Sequence, residues 1–275
     1  MHIRIRHDII HSYAEPPKAA NRKLLLTPRN YQGQHVQNWR IDLDHNCRLR
    51  QGEDAFGNVQ HCYSVDGPFD RLVVSIEGEV DTFDTAGVVK GAVERFPMAL
   101  YLRDTPLGAA DPELRAYAQE ASAHEAELLS KLHALLGALH DDLGPVREDA
   151  PVEGAAAAFA RRSAGTADQA HIFIACAREI GAPARFVSGF LCVDDAAPIL
   201  HGWAEAYVDT LGWVGFDVGA CSSPAENYLR IAAALDSQGA APLKSAQAGG
   251  GEVVETHKPM IAARRQGQTQ SQSQS

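Results

Sequence analysis

Ser163–Asp217 reads SAGTADQAHIFIACAREIGAPARFVSGFLCVDDAAPILHGWAEAYVDTLGWVGFD. Ala170, Ile172, Phe173, Ile174, Ala175 and Ala177 make a segment apolar on almost every side, which predicts a helix buried centrally. Gly181-Ala182-Pro183 stops it, with glycine as the residue past the cap and proline beyond. Three strand-like runs follow: Ala184–Val193, His201–Val208 and Gly212–Val218. In the second, Trp203, Ala204, Ala206 and Val208 are apolar, and Glu205 is expected to face away from them. Polar residues mark the ends of these elements. Thr166 and Asp168 offer capping side chains at the helix start, His201 opens the second run, and Asp217 closes the third. A helix start facing a His on one strand and an Asp on the next is the layout of a nucleophile, a base and the group that orients it. If the strands are neighbours, Asp217 accepts from one imidazole nitrogen and leaves the other free as base.

Working outward, 275 residues suffice for one large domain or two small ones, and 45% hydrophobic content allows a sizeable core. A net charge of −10 makes nucleic acid and anionic membrane surfaces poor partners. The opening MHIRIRHDII is interrupted by charge and His, so it does not read as a signal peptide, and no apolar run has the length of a membrane span. Cys47, Cys62, Cys176, Cys192 and Cys221 are odd in number and lack CxxC spacing. That argues against a disulfide framework or a zinc site and points to a reducing cytoplasm.

Residues 1–88 read as β structure. Ile3, Ile5, His7 and Ile9 alternate, Lys23–Leu26 is a second run, and Val36–Leu43 alternates through Val36, Trp39, Ile41 and Leu43. Asp54–Asn58 is a turn, with Gly57-Asn58 supplying positive φ. Gln60–Val65 and Arg71–Val80 follow, and Leu72, Val74 and Ile76 share a face. Short strands with turns between them predict a sandwich-like module. After a connector at 89–110, Asp111-Pro112-Glu113 starts a helix whose leucine stripe runs to about His140. His124, His133 and His140 lie along it without a carboxylate or Cys to complete a ligand set, and read as a helix flank. Ala155–Arg162 is a short helix, and Asn227–Ala234 is either a strand or a helical turn. Gly-rich 246–251 precedes a possible edge strand at Val253-Val254, and Arg264–Ser275 ends in a Gln/Ser repeat expected to be disordered.

The segment HGWAEAYVDTLGWVGFDVGAC resembles the His and Asp blocks of bacterial transglutaminase-like proteins, and 170–191 is similar to the helix and first strand of that family. Leu26-Thr27-Pro28-Arg29, Gly33–Val36, Trp39 and Asp54–Asn58 resemble the family's N-terminal β region. The resemblance implies an α+β protein. A β-sandwich-like module at 1–88 precedes a papain-like, transglutaminase-like domain at 89–245, and 246–275 forms a Gly-rich segment and tail. It also implies a Cys-His-Asp triad acting on peptides or proteins by amide transfer or hydrolysis, with no cofactor or metal.

The departure from the family lies at the nucleophile. Laid against the family's GVCQDFAH, this chain matches at Asp168, Ala170 and His171, and the Cys falls on Thr166. His201 and Asp217 match the base and orienter. Cys176 lies ten residues along the helix, about 15 Å away and roughly 80° round the axis, as a core residue would. Cys192 could approach His201 if 184–193 and 201–208 form a hairpin with the right faces together. Ser163 is a further hydroxyl, three residues early. A Thr with an alkoxide far less accessible than a thiolate is a poor nucleophile and reads as an N-cap. The expectation is a catalytically impaired relative that binds peptide or protein in the former cleft. The alternative is an active hydrolase or amide transferase using Thr166, Ser163 or Cys192 with His201 and Asp217.

Overall fold

The computed structural model describes residues 1–147, 150–193 and 196–260. The repeat at Arg264–Ser275 lies outside the described residues.

The N-terminal strands form two sheets face to face. One carries β1 (His2–Tyr13), β3 (Gln34–Leu43) and β6 (Arg71–Thr82), and is completed by β13 (Val253–Pro259) in the order β13-β1-β6-β3. The other carries β2 (Ala19–Thr27), β4 (Arg50–Glu53) and β5 (Val59–Asp66), and is completed by β12 (Leu243–Ala248) in the order β12-β2-β5-β4. Ile3, Ile5 and Ile9 meet Leu72, Val74, Ile76 and Val80 inside, as alternation predicts. Leu24, Leu25 and Leu26 are all buried in succession, and the β2–β5 register shifts between Leu24 and Thr27 to allow it. The Asp54–Asn58 turn is present with Gly57 at φ +81. Asn58 is buried there, and its side-chain amide pairs with the backbone N–H and C=O of Ala233. The expected segment 246–275 thus overlaps both sheets. β12 and β13 are polar edge strands, and main-chain pairing to β2 and β1 holds them in place.

A third sheet follows, built of β7 (Val88–Val89), β8 (Ala184–Leu191), β9 (Ile199–Val208), β10 (Gly212–Phe216) and β11 (Tyr228–Ala234), ordered β11-β8-β9-β10-β7. Asn227–Ala234 is therefore a strand. The predicted runs at 184, 201 and 212 are consecutive antiparallel neighbours, with Gly189 opposite His201 and Glu205 opposite Gly215.

Against this sheet lies α4 (Thr166–Glu179), buried from Asp168 to Arg178. Ile172, Phe173 and Ile174 are fully buried and pack with Phe186, Ala204, Ala206 and Phe216; each such side chain stabilises by about 1.5–3 kcal/mol. The helix ends as its sequence predicts. Gly181 takes φ +85, its N–H donates to Arg178, and the Ala182 N–H reaches back to Ala177 at 2.8 Å.

Over α4 lie α1 (Pro112–Ser122), α2 (Leu128–Leu143) and α3 (Ala155–Arg161). Asp111 caps α1 by accepting from Leu114 N–H at 2.8 Å. The single helix expected from 111 to 140 is two. No breaker occurs at 123–127; the chain turns there so that both leucine faces cover α4. Among the described residues no helix is long and apolar enough to cross a membrane.

Candidate active site

His201 and Asp217 meet as the spacing requires. His201 is the third residue of β9, and Asp217 follows the last residue of β10. The His201 Nε2–H donates to Asp217 Oδ2 at 2.6 Å, and the two side chains are 7% and 6% exposed. In the neutral ring the lone pair is then on Nδ1, the nitrogen left to act as base. Asp217 also accepts from the Tyr228 hydroxyl at 2.7 Å and from the Ala220 N–H at 3.3 Å. Burial pushes its carboxyl up, but His201, Tyr228 and Ala220 together hold it below the usual carboxylate range. Burial and the neighbouring Asp217 push the Tyr228 hydroxyl up, so it stays a donor. The rings of Trp203 and Tyr228 meet edge to face at 5.4 Å beside the imidazole. The loop after Asp217 is tied back by a Ser222 bridge and by His140 Nδ1, which donates to the Val218 carbonyl at 2.8 Å.

Thr166 is the first residue of α4, and the cap is Gly165, without a side-chain bond. The expected capping role of Thr166 and Asp168 is therefore not taken. Asp168 turns to the preceding loop and accepts from the Glu153 and Gly154 N–H groups at 2.9 and 3.0 Å. His171 Nε2 accepts from the Ser237 N–H, so its Nδ1–H donates to Asp168 at 3.2 Å. Asp168 and His171 thus fix the start of α4 to its surroundings.

Thr166 and His201 line the same cleft, which opens into two lobes. One, of about 450 Å³, is bordered by Val146, Leu191, Asp217 and Ala220. The other, of about 430 Å³, is bordered by Leu107, Val152, Ser188, Ser237 and Leu243. Both lobes are also lined by Leu200 and by His257 of β13. Chemically, a side chain at the first position of α4 has unpaired backbone N–H groups beside it and a carboxylate-oriented imidazole across the cleft.

The other candidate nucleophiles lie elsewhere. On β8, Leu191 has the parity of Gly189, the partner of His201, so Cys192 belongs to the opposite face with Phe190. It packs into the sandwich core, where burial pushes its thiol up to about 12. Ser163 lines neither lobe. Cys176 is fully buried, and burial raises its thiol far out of the reactive range.

Glu205 does not face solvent. It is fully buried, opposite Arg185 in the ladder, and holds Arg185 Nε at 2.7 Å and Arg230 Nε at 2.7 Å. Burial pushes its carboxyl up, but Arg230 and Arg185 outweigh it and bring it down to about 2. This triad ties β9 to β8 and β11 two turns of the pleat from His201. Sequence reasoning missed it, as it missed Tyr228, because the partners come from separate strands. A second cluster borders the cleft: His7 Nε2 and His257 Nδ1 are 3.1 Å apart, and Glu255 joins His257 at 2.8 Å and His11 at 2.6 Å.

Comparison with known proteins agrees with this architecture. Residues 3–81 match the bacterial transglutaminase-like N-terminal region, and residues 115–218 match the transglutaminase-like superfamily. An uncharacterized protein of Mycobacterium leprae is 24% identical over 267 residues, covering 90% of this chain and 94% of that one. A solved structure from Cytophaga hutchinsonii, presented as a candidate cysteine protease, superposes with a TM-score of 0.71 at 15% identity, covering 96% and 95% of the two chains. At that identity the likeness is one of fold. The periplasmic domain of TgpA from Pseudomonas aeruginosa fits more loosely, with a TM-score of 0.42 at 16% identity over 79% of this chain and 88% of that one. The chain is therefore an α+β protein that joins a bacterial transglutaminase-like N-terminal region, at 3–81, to a transglutaminase-like superfamily core, at 115–218.

Proposed function

We infer that this protein is a catalytically impaired transglutaminase-like protein that binds a peptide or protein segment in the cleft between α4 and β9. The observation that carries the reading is the residue at the first position of α4. It borders the cleft shared with His201, and it is Thr166. A threonine hydroxyl ionises far less readily than a thiol at neutral pH, and its Cβ methyl crowds an attacking trajectory. The His201–Asp217 hydrogen bond supports a base and its orienter, but the group they would activate is a poor one. Two lobes that both border Thr166 offer room for an extended chain, which favours a peptide over a compact ligand. All five cysteines are unpaired, which agrees with a cytoplasmic setting.

The test is an acyl-transfer probe reactive toward hydroxyls and thiols, followed by intact-mass and peptide mapping. Impairment predicts no adduct that depends on His201. A stoichiometric, His201-dependent adduct at Thr166, Ser163 or Cys192 would establish the competing reading of an active hydrolase or amide transferase.

A further inference from the structure

The outer face of the β12-β2-β5-β4 sheet holds a cavity of about 630 Å³ that shares no lining residue with the cleft. Its charge runs against that of the whole chain. Lys23, Arg48, Arg50 and Lys244 line it, with no carboxylate among its lining residues. The strand registers explain how they converge. Lys244 lies opposite Lys23, Lys23 opposite Cys62, and Cys62 opposite Arg50, so three cations and a thiol form one row across four strands. The next row holds Asn21 opposite Ser64, whose side chains are joined at 2.6 Å.

Two lysines directly opposite each other on one face destabilise a sheet. Here no ion pair relieves them: among the described residues none of the four cations has a carboxylate within salt-bridge reach. Lys244 Nζ donates only to the Gly239 carbonyl, at 3.2 Å. Burial and Lys23 lower its pKa, against the weaker pull of Asp236 and Asp54. A row of like charges with nothing to neutralise it is suited to a ligand that carries the missing charge.

We propose that this face is a binding site for a compact anion bearing several phosphate groups, held by Lys244, Lys23, Arg50 and Arg48. The row spans three inter-strand gaps, about 14 Å at roughly 4.8 Å each. A single phosphate meets only part of that length, whereas a chain of phosphates meets all of it. The two arginines supply planar forks that match phosphate oxygens, the two lysines supply point charges, and Ser64 and Asn21 add neutral hydrogen-bonding groups. The phosphate chain can be free or can belong to a nucleotide.

The experiment is calorimetric titration of the full chain at fixed ionic strength with tripolyphosphate, ATP and citrate. Saturable binding of tripolyphosphate or ATP is expected, with a rise in melting temperature that chloride at equal ionic strength does not give. Tighter binding of ATP assigns the chain to a nucleotide, and equal binding assigns it to the free anion. K23Q/R50Q should weaken binding by at least about tenfold, two charge-assisted contacts being lost. The same variant should melt no lower than the parent without ligand, because the opposed lysines are relieved. R48Q, outside the strands, repeats the affinity test without touching the ladder. Citrate binding as tightly as tripolyphosphate, an affinity unchanged in both variants, or binding only to duplex DNA or anionic vesicles would each overturn the proposal. None of these measurements depends on His201, so failure here leaves the reading of the cleft untouched.

Discussion

Tyr228 donates its hydroxyl to the same Oδ2 of Asp217 that receives the His201 ring N–H. One oxygen therefore sets both the tautomer of the imidazole and the position of the aromatic wall beside it. Y228F removes one donor from a buried carboxylate. The expected loss is about 1.5–3 kcal/mol, the range for hydrogen bonds to charged groups. A urea midpoint unchanged from the parent would show that Asp217 does not depend on this bond.

Glu205 neutralises two arginines in the third sheet. E205Q keeps the shape and removes the charge, leaving Arg230 buried beside a neutral amide and Arg185 with Glu94, at 2.9 Å, as its remaining carboxylate. Loss of about 3–5 kcal/mol is expected, as for other buried ion pairs broken on one side. Chemical denaturation reads it directly, and a change under 1 kcal/mol contradicts the role assigned to this triad.

Gln169 is buried one turn into α4, and neither end of its amide has a partner among the described residues. An unsatisfied buried amide costs about 1–3 kcal/mol. Q169M, of similar length and without polar ends, should therefore raise the melting temperature. A lower melting temperature would mean that the amide is satisfied, and that its partner is what the substitution removes.

His7 is packed against Phe190 and faces His257, with Asp8 adjacent and Glu255 and His11 on the far side of that ring. Burial first, then His257, lowers its pKa from 6.5 to about 4. The unfolded chain takes up this proton near 6.5 while the folded chain resists it. The contribution of neutral His7 is thus complete above 6.5 and is lost as pH falls from 6.5 to 4. Stability should fall through that window with a slope approaching about 1.4 kcal/mol per pH unit for one proton, and H7Q should flatten it. Asp217 and Glu205, both held low, add their own loss only at more acidic pH.

The parts of this architecture that local pattern encodes could be read in advance. The alternation of Ile3, Ile5 and Ile9, the apolar girth of α4 and its Gly181 stop each depend on neighbours in sequence, and each stands in the structure. His201 and Asp217 were legible because β9 and β10 form a tight hairpin, so 16 positions suffice to bring them together. Glu205 faces away from Ala204, Ala206 and Val208 as expected, but alternation does not tell what covers that other face, and this sheet is covered on both. Arg185 and Arg230 reach it from other strands, 20 and 25 residues away. β13 runs from the edge strand expected at Val253-Val254 on through the polar ETHKP, and β12 carries LKSAQA, too polar to register as a strand; both are held because β1 and β2 offer open edges. The break between α1 and α2 has no local cause and follows from the demand to cover α4.

The central claim is that Thr166 occupies the place of a nucleophile that His201 would activate. It is tested most directly by the rate at which T166C reacts with iodoacetamide as a function of pH, with and without H201N. The account predicts a thiol in T166C that is alkylated well below the ordinary thiol range, faster than any cysteine of the parent, and slowed to the rate of a solvent thiol in T166C/H201N. A T166C thiol that titrates as an isolated cysteine, or whose reactivity is the same in both backgrounds, would contradict it.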